Sequence, residues 1–257
     1  MLSHLKNAAG RPYIGLAAAG IAYYTFLAMV PLIASAVLIF GIWADPATIG
    51  SQVDAVAQLL PGAAGELVGT EMLEIAAGDD TAQGFGLVLA IALSLVAARG
   101  AAMAVIDGLD LAYRAQDERS FIRRNALALG ITVAGILGLG LIALAIGYAG
   151  FTDGILSSII SYSLLFVAVL LGAALLYRRA PDRHRPHWKE TLPGAALFAA
   201  AWLVGTAGFG TYVANFGNYD ATYGSLGAIV ILLTWIWLSA YLLLLGAAFN
   251  SSRQGID

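Results

Sequence analysis

Arg99 is the residue whose position most needs a chemical explanation, because it interrupts one of the long apolar stretches of the sequence. Eighteen uncharged residues, 81–98, precede it, and seven more follow before Asp107. A guanidinium group at such a place needs an anionic partner, a polar cavity or a short path to the membrane surface. Its neighbours are small residues, which favours packing against protein or a cavity over contact with fluid lipid. Anion binding and a purely structural role are both open.

The three histidines do not form a recognisable metal or catalytic site. His184 and His187 are close in sequence to Asp182 and Glu190, but Pro186 prevents the helical register of zinc-binding motifs. The same segment contains five basic residues, which would repel a cation. The sequence holds no cysteine, so thiolate ligands and disulfides are excluded. We therefore expect no enzyme, no metal and no cofactor.

The remaining polar residues also exclude some function classes. None of the sixteen acidic residues falls near the middle of an apolar stretch, which argues against a carrier driven by protons or sodium ions. The basic segments lack an aromatic or glycine-rich recognition motif, so we expect no nucleic-acid partner. Hydroxyl groups, including those of Tyr23 and Tyr24, are the main polar groups of the apolar stretches. A polar cavity lined by them is an open alternative.

The elements that position these residues must be membrane-spanning helices. Hydrophobic residues make up 60% of the chain, charged residues only 11%, and the mean hydropathy is +0.82. A crossing needs about 20 apolar residues, and lipid offers the backbone no hydrogen-bond partners. The sequence predicts an all-α membrane protein in which residues 1–257 form a single domain of six transmembrane helices. The predicted spans are about 17–43, 84–106, 126–149, 155–177, 192–214 and 224–249.

The basic residues fix the predicted orientation. Twelve of the thirteen lie before the first span, after the last, or in the segments that follow the second and fourth. The positive-inside rule therefore places both termini in the cytoplasm. Residues 45–83 then lie outside, where Pro61 and Gly62 separate two stretches of helical periodicity. We expect a short helical extracytoplasmic segment between helices 1 and 2, which acts as a cap, acts as a gate or is partly embedded in the membrane.

Basic residues beside the spans are candidates for lipid contact. Anionic lipid attracts each juxtamembrane arginine or lysine by about 1 kcal/mol. A crossing of about 20 residues that begins near Gly84 ends near Ala104, so Arg99 lies about five residues, or roughly 7.5 Å, from that end, a distance that its side chain can cover. The candidates for cytoplasmic contact with anionic lipid are Arg123, Arg124, Arg178 and Arg179.

Three segments of the chain resemble the YihY/BrkB family of bacterial inner-membrane proteins. They are "AYYTFLAMVPLI", "ARGAAMAVIDGLDLAYRAQDERSFIRR" and "YGSLGAIVILLTWIWLSAYLLLLGAAFN". The resemblance covers nearly the whole chain and implies an envelope protein with six helices in the inner membrane. The family has been linked to envelope integrity, and lipid transport has been suggested for it. Its old label, ribonuclease BN, looks like a misattribution that nothing in this sequence supports.

The resemblance also bears on individual positions. The chain retains Arg99 and the Tyr223-Gly224-Ser225 motif, but it has Asp110 where the family commonly has asparagine and Ala248 where the family commonly has glutamate. A mechanism that needs this glutamate is in doubt for this chain. The candidate residues for binding a substrate or lipid are Arg99, Tyr23, Tyr24, Tyr223 and Ser225.

Together these observations predict an integral inner-membrane envelope protein that binds or transports a lipid-like or other anionic amphipathic molecule. The alternative is a structural or assembly protein that supports envelope integrity without transport. A ribonuclease is the least supported hypothesis. Membrane lipids are the expected partners, and the sequence leaves a homo-oligomer open.

Overall fold

The computed structural model describes residues 8, 13–43, 80–150, 155–182, 186–215 and 225–255, and every regular element within these ranges is an α-helix. The helices are α1 (Ile14–Trp43), α2 (Asp80–Tyr113), α3 (Phe121–Gly150), α4 (Ile155–Arg179), α5 (Trp188–Asn215) and α6 (Ser225–Arg253). The all-α prediction is confirmed for the described part of the chain. Residues 44–79, which contain most of the predicted extracytoplasmic segment, lie outside it, and residues 80–83 belong to α2.

Three described segments are long and apolar enough to cross a membrane: Ile91–Tyr113, Trp188–Val213 and Ile229–Arg253. They correspond to the predicted second, fifth and sixth spans. The number of six crossings and the cytoplasmic position of both termini stay predictions.

Helix α2 extends beyond its predicted span and ends in a defined backbone motif. Arg114 has a φ of 52°, and this left-handed residue ends the helix. The N–H of Arg114 donates to the carbonyl of Leu111, and the N–H of Ala115 donates to the carbonyl of Asp110. These two bonds form a Schellman motif, which satisfies carbonyl groups at the last turn. The helix thus ends seven residues after the predicted span, beyond Asp107 and Asp110.

The chain divides into two compact units. Unit 1 comprises Met1–Ile21, Ala102–Gly208 and Leu238–Asp257. Unit 2 comprises Ala22–Ala101 and Phe209–Trp237. The prediction of one domain over the whole chain stays a prediction.

The described hydrophobic core lies in unit 1 and is built with many small residues. Ile106 and Leu244 are completely buried, and a methyl group added to Gly108 would lie 3.1 Å from Leu244 and 3.0 Å from Ile21. Helices α5 and α6 approach even more closely: a methyl group on Gly246 would lie 2.6 Å from the carbonyl oxygen of Gly194. Small residues allow such close contact between helices, which favours association in lipid, where apolar side chains gain little by leaving the lipid.

Unit 2 exposes a largely apolar surface. On α2 the exposed large side chains are Val88, Leu89, Ile91, Leu93, Leu95 and Val96. A contiguous apolar surface of this kind is unusual for a soluble monomer and is typical of a face covered by lipid or by another protein.

Candidate functional site

Arg99 lies in unit 2 on the exposed surface of α2. Its neighbour Gly100 faces α1, because a methyl group added there would lie 3.2 Å from the ring of Tyr24. The expectation from its small neighbours is that Arg99 faces packed protein or a cavity, whereas in the structure Arg99 is exposed and its neighbour Gly100 makes the contact with α1. Arg99 itself is not enclosed by that packing.

Tyr23 and Tyr24 complete this arrangement. Both side chains are exposed, and their ring centroids lie 5.5 Å apart in an edge-to-face orientation. Tyr24 contacts Gly100, the residue that follows Arg99, so three of the five predicted binding residues lie in the part of unit 2 where α1 packs against α2. Tyr223 and the side chain of Ser225 lie outside the described part of the structure.

The chemistry available at this place is that of anion recognition next to an apolar surface. A guanidinium group donates up to five hydrogen bonds in a plane that fits phosphate or carboxylate oxygens. A tyrosine ring offers apolar contact together with a polar hydroxyl group, which suits the boundary between lipid and water. We define Arg99, Tyr23 and Tyr24 as the Arg99 site.

A second polar group of residues lies in unit 1, around Arg119. The Arg119 side chain is only 3% exposed, and its Nη2 pairs with a carboxylate oxygen of Asp110. Its Nε donates to Asp117 at 2.7 Å, and its Nη1 donates to the carbonyl oxygen of Ala180 at 2.7 Å. The nearest oxygen of Asp182 lies 3.8 Å from Nε. One guanidinium group thus joins the end of α2, the following loop and the end of α4.

Backbone groups reinforce the same junction. The N–H of Asp182 donates to Asp110 Oδ1 at 2.6 Å, and the N–H of Glu118 donates to Asp182 Oδ2 at 2.8 Å. Asp110, which replaces the asparagine expected from the family resemblance, therefore has a charged partner in this chain. Burial alone would raise the pKa of Asp117, but hydrogen bonds from Arg119 and its positive charge hold that pKa below its usual value.

Arg124 extends this ion-pair network. It pairs with Asp107 on α2, and its Nε lies 3.2 Å from Asp117 Oδ2. Carboxylate oxygens of Asp107, Asp110 and Asp117 lie within 4.8 Å of one another, which is a spacing compatible with a metal ion. Two guanidinium groups pair with these carboxylates, so the cluster is explained as an ion-pair network.

The start of α5 and the end of α6 meet at Asn250, which is completely buried. Its side-chain oxygen accepts from the N–H of Gly194 at 2.8 Å. Its Nδ2 donates to the carbonyl oxygen of Thr191 at 2.9 Å and to the hydroxyl of Tyr113 at 3.3 Å. The sequence reasoning missed both Asn250 and Arg119. A signal for Asn250 was available, since an amide close to the end of a long uncharged stretch must find partners if it is buried.

The four arginines predicted to contact anionic lipid have different surroundings. Arg123 and Arg179 are exposed. Arg124 is paired with carboxylates, as described above. Arg178 lies over the ring of Trp188, with its Cζ 4.8 Å from the ring centroid. The charges of Arg123 and Arg179 are thus the more accessible ones.

Comparison with known sequences identifies relatives across nearly the whole chain. A model of the family described as virulence factor BrkB matches residues 9–255. A UPF0761 membrane protein of Alteromonas mediterranea is 27% identical over 250 residues, which cover 93% of this chain and 82% of the relative. No solved structure matches.

Two further relatives match over shorter regions. The putative ribonuclease-like protein YfkH of Bacillus subtilis is 27% identical over 181 residues, covering 65% of this chain and 64% of the relative. A UPF0761 membrane protein of Tolumonas auensis is 30% identical over 183 residues, covering 68% of this chain and 58% of the relative. The matches to these two thus span less than two thirds of the relatives' lengths.

Proposed function

We propose that this chain, which belongs to the virulence factor BrkB family of membrane proteins, binds the anionic headgroup of a lipid-like molecule at the Arg99 site. The observation that carries the proposal is the exposed position of Arg99 on an otherwise apolar surface of unit 2, next to Gly100, which contacts the exposed Tyr24. This arrangement offers a cationic hydrogen-bond donor and an apolar surface to the same ligand. An amphipathic anion needs both.

The position of Arg99 along α2 supports a lipid rather than a soluble anion. Leu95 and Val96, one turn earlier on the helix, are exposed and would lie against acyl chains. Arg99 lies about five residues from Ala104, where a crossing of about 20 residues from Gly84 ends, and this distance is within reach of the headgroup layer. A phosphate group there would accept charge-assisted hydrogen bonds from the guanidinium group.

The polar end of unit 1 supports the proposed orientation in the inner membrane. Arg119, Asp182 and Asn250 tie together the ends of α2, α4 and α6, the loop before α3 and the start of α5. These are the ends that adjoin the basic segments, and the positive-inside rule assigns such segments to the cytoplasm. We therefore propose an inner-membrane protein whose termini are cytoplasmic. We also propose that it has no catalytic role, because its histidines and acidic residues form no recognisable catalytic motif in the sequence.

Lipid binding by the purified full-length chain tests the proposal. In native mass spectrometry with phosphatidylglycerol, we expect bound lipid on the parent protein and a loss of roughly tenfold or more in affinity for Arg99→Ala, because a hydrogen bond to a charged group contributes about 1.5–3 kcal/mol. Arg99→Lys should retain part of the binding. Arg114→Asn is the matched control: it removes an exposed arginine and tolerates the positive φ.

The outcomes separate lipid binding from a structural role. If Arg99→Ala binds phosphatidylglycerol as the parent does, the Arg99 site is not the lipid site. If the same variant keeps lipid binding but unfolds at a lower temperature in detergent, the structural alternative is supported. Tyr24→Phe and Tyr24→Ala then distinguish the hydroxyl group from the ring, since only the second removes the contact with Gly100.

A further inference from the structure

The start of α3 presents two large apolar side chains outward. Phe121 is 77% exposed and Ile122 is 80% exposed, the highest values among the large apolar side chains that the structure describes. The next residue, Arg123, is exposed as well, whereas Arg124 pairs with Asp107 and Asp117. Successive helical residues point about 100° apart, so one side of this turn faces the ion-pair network and the other faces outward.

The depth of this turn relative to the membrane follows from the length of α3. The predicted span begins at residue 126, whereas the helix begins at Phe121. Five residues of helix correspond to roughly 7.5 Å. The polar layer on each side of the hydrocarbon core is about 5–8 Å thick. Phe121 and Ile122 are therefore expected at the level of the lipid headgroups, where apolar and cationic groups both find partners.

The protein holds this turn in a fixed position. Arg119, two residues before Phe121, is buried among Asp110, Asp117 and the carbonyl of Ala180. Asn125 donates from its side chain to the carbonyl of Phe121 at 2.7 Å. These contacts tie the chain on both sides of this turn to neighbouring groups, while the two apolar side chains are exposed.

We propose that Phe121, Ile122 and Arg123 form an interfacial anchor that docks onto acidic phospholipids. The two apolar side chains enter the headgroup region next to the polar end of unit 1, and Arg123 contacts lipid phosphates. Charge complementarity selects this occupant, since a cation beside apolar groups at headgroup depth matches an acidic phospholipid surface. The proposal requires only that α3 spans the membrane and is independent of the Arg99 site.

Site-directed spin labelling tests the depth of the anchor. The sequence contains no cysteine, so Ile122→Cys and Glu118→Cys each give the full-length chain one labelling position. Glu118 is an exposed residue of the adjoining loop and is the water-facing control. In phosphatidylcholine vesicles containing phosphatidylglycerol, the label at 122 should be several-fold less accessible to a neutral nickel chelate than the label at 118, and more accessible to oxygen. Equal accessibility of both labels to the chelate overturns the proposal.

A second copy of the chain is the alternative occupant, and the same labels detect it. It would shield residue 122 from both chelate and oxygen and would give dipolar broadening that disappears on dilution with unlabelled protein. That result also overturns the proposal.

The role of acidic lipid is tested with Arg123→Gln in the Ile122→Cys background. Adding phosphatidylglycerol to phosphatidylcholine vesicles should lower chelate accessibility at residue 122 when Arg123 is present, and this effect should be lost in Arg123→Gln. If phosphatidylglycerol has no effect in the Arg123 protein, acidic lipid is not the partner. Thermal unfolding in detergent confirms that each labelled variant is folded.

Discussion

The backbone nitrogen of Gly194 lies 2.8 Å from the side-chain oxygen of Asn250 and donates a hydrogen bond to it. Pro193, the preceding residue, lies inside α5 and has no N–H to donate. Near this proline, the Asn250 side chain of α6 accepts a hydrogen bond from the backbone N–H of Gly194 and donates one to the backbone carbonyl of Thr191. Asn250 thus packs between α5 and α6 and also forms hydrogen bonds with the backbone of α5.

Asn250→Ala should destabilise the protein substantially. The change removes the acceptor of the Gly194 N–H and the donor to Thr191, and a buried polar group without a partner costs about 1–3 kcal/mol. The midpoint of thermal unfolding in detergent measures the effect. Asn125→Ala is the control, because its amide is less buried and donates to the carbonyl of Phe121 in its own helix. Similar unfolding temperatures for the two variants would contradict the importance of Asn250.

Gly194→Ala and Gly246→Ala should be the most damaging glycine substitutions in α5 and α6. A methyl group at Gly194 would clash with the carbonyl of Gly246 and lie 2.5 Å from the Asn250 side chain. The backbones must separate, and inserting a methyl group into a packed interface costs about 1–3 kcal/mol or more.

Gly208→Ala is the matched control for these two variants, since nothing lies within 4 Å of an added methyl group there. Alanine favours helix by about 1 kcal/mol over glycine, so this variant should be neutral or slightly more stable. The prediction fails if all three variants unfold at the same temperature.

Arg119→Ala should cost about 3–5 kcal/mol, because it leaves Asp110 buried without its cationic partner. Arg119→Lys should recover only part of this loss, since an ammonium group cannot reproduce the planar donors that reach Asp110, Asp117 and Ala180 together. Chemical unfolding of the detergent-solubilised protein measures both variants. Arg179→Ala, which removes an exposed arginine, should leave stability almost unchanged.

We predict that the stability of the fold depends on pH through the carboxyl group of Asp117, and the direction of this dependence follows from its pKa. Its pKa is lower in the folded chain than in the unfolded chain, where an aspartate has a value of about 3.9. The ionised carboxylate therefore stabilises the fold fully above that value, and this contribution disappears as the pH falls through the folded pKa.

The measurement compares parent and Asp117→Asn by thermal unfolding from pH 7 to pH 3. We expect a constant difference in unfolding temperature down to about pH 5 and a shrinking difference below about pH 4. A difference that persists unchanged to pH 3 would show that the charge of Asp117 does not contribute.

The helices themselves were predictable, because each long uncharged stretch coincides with one helix. The positions of the helix ends were less predictable. Hydropathy ends the second span at residue 106, but α2 continues to Tyr113. Asp107 and Asp110 do not end the helix, since Arg124 and Arg119 neutralise them from outside it. Hydropathy alone contains no information on such partners.

The sequence indicated which residue types would form the sites, but it did not indicate which residues would contact one another. Arg99 stands out because of its apolar surroundings, but the contact of Tyr24 with the next residue, Gly100, depends on the register of α1 against α2. Arg119 is one of four arginines in its basic segment, and charge alone does not distinguish it from the others. Arg119 differs from the others by its contacts with groups about sixty residues later in the chain, at Ala180 and Asp182.

The buried amide of Asn250 has a consequence for the order of assembly during synthesis. It joins α6 to groups that precede it by 56, 59 and 137 residues, on α5 and at the end of α2. A chain emerging from the ribosome presents α2 and α5 before α6 exists. Before α6 is synthesised, the N–H of Gly194 and the carbonyl of Thr191 lack the hydrogen bonds that the Asn250 side chain later makes to them. Helix α6 therefore completes the hydrogen bonding of groups on α5 and α2 that are synthesised before it.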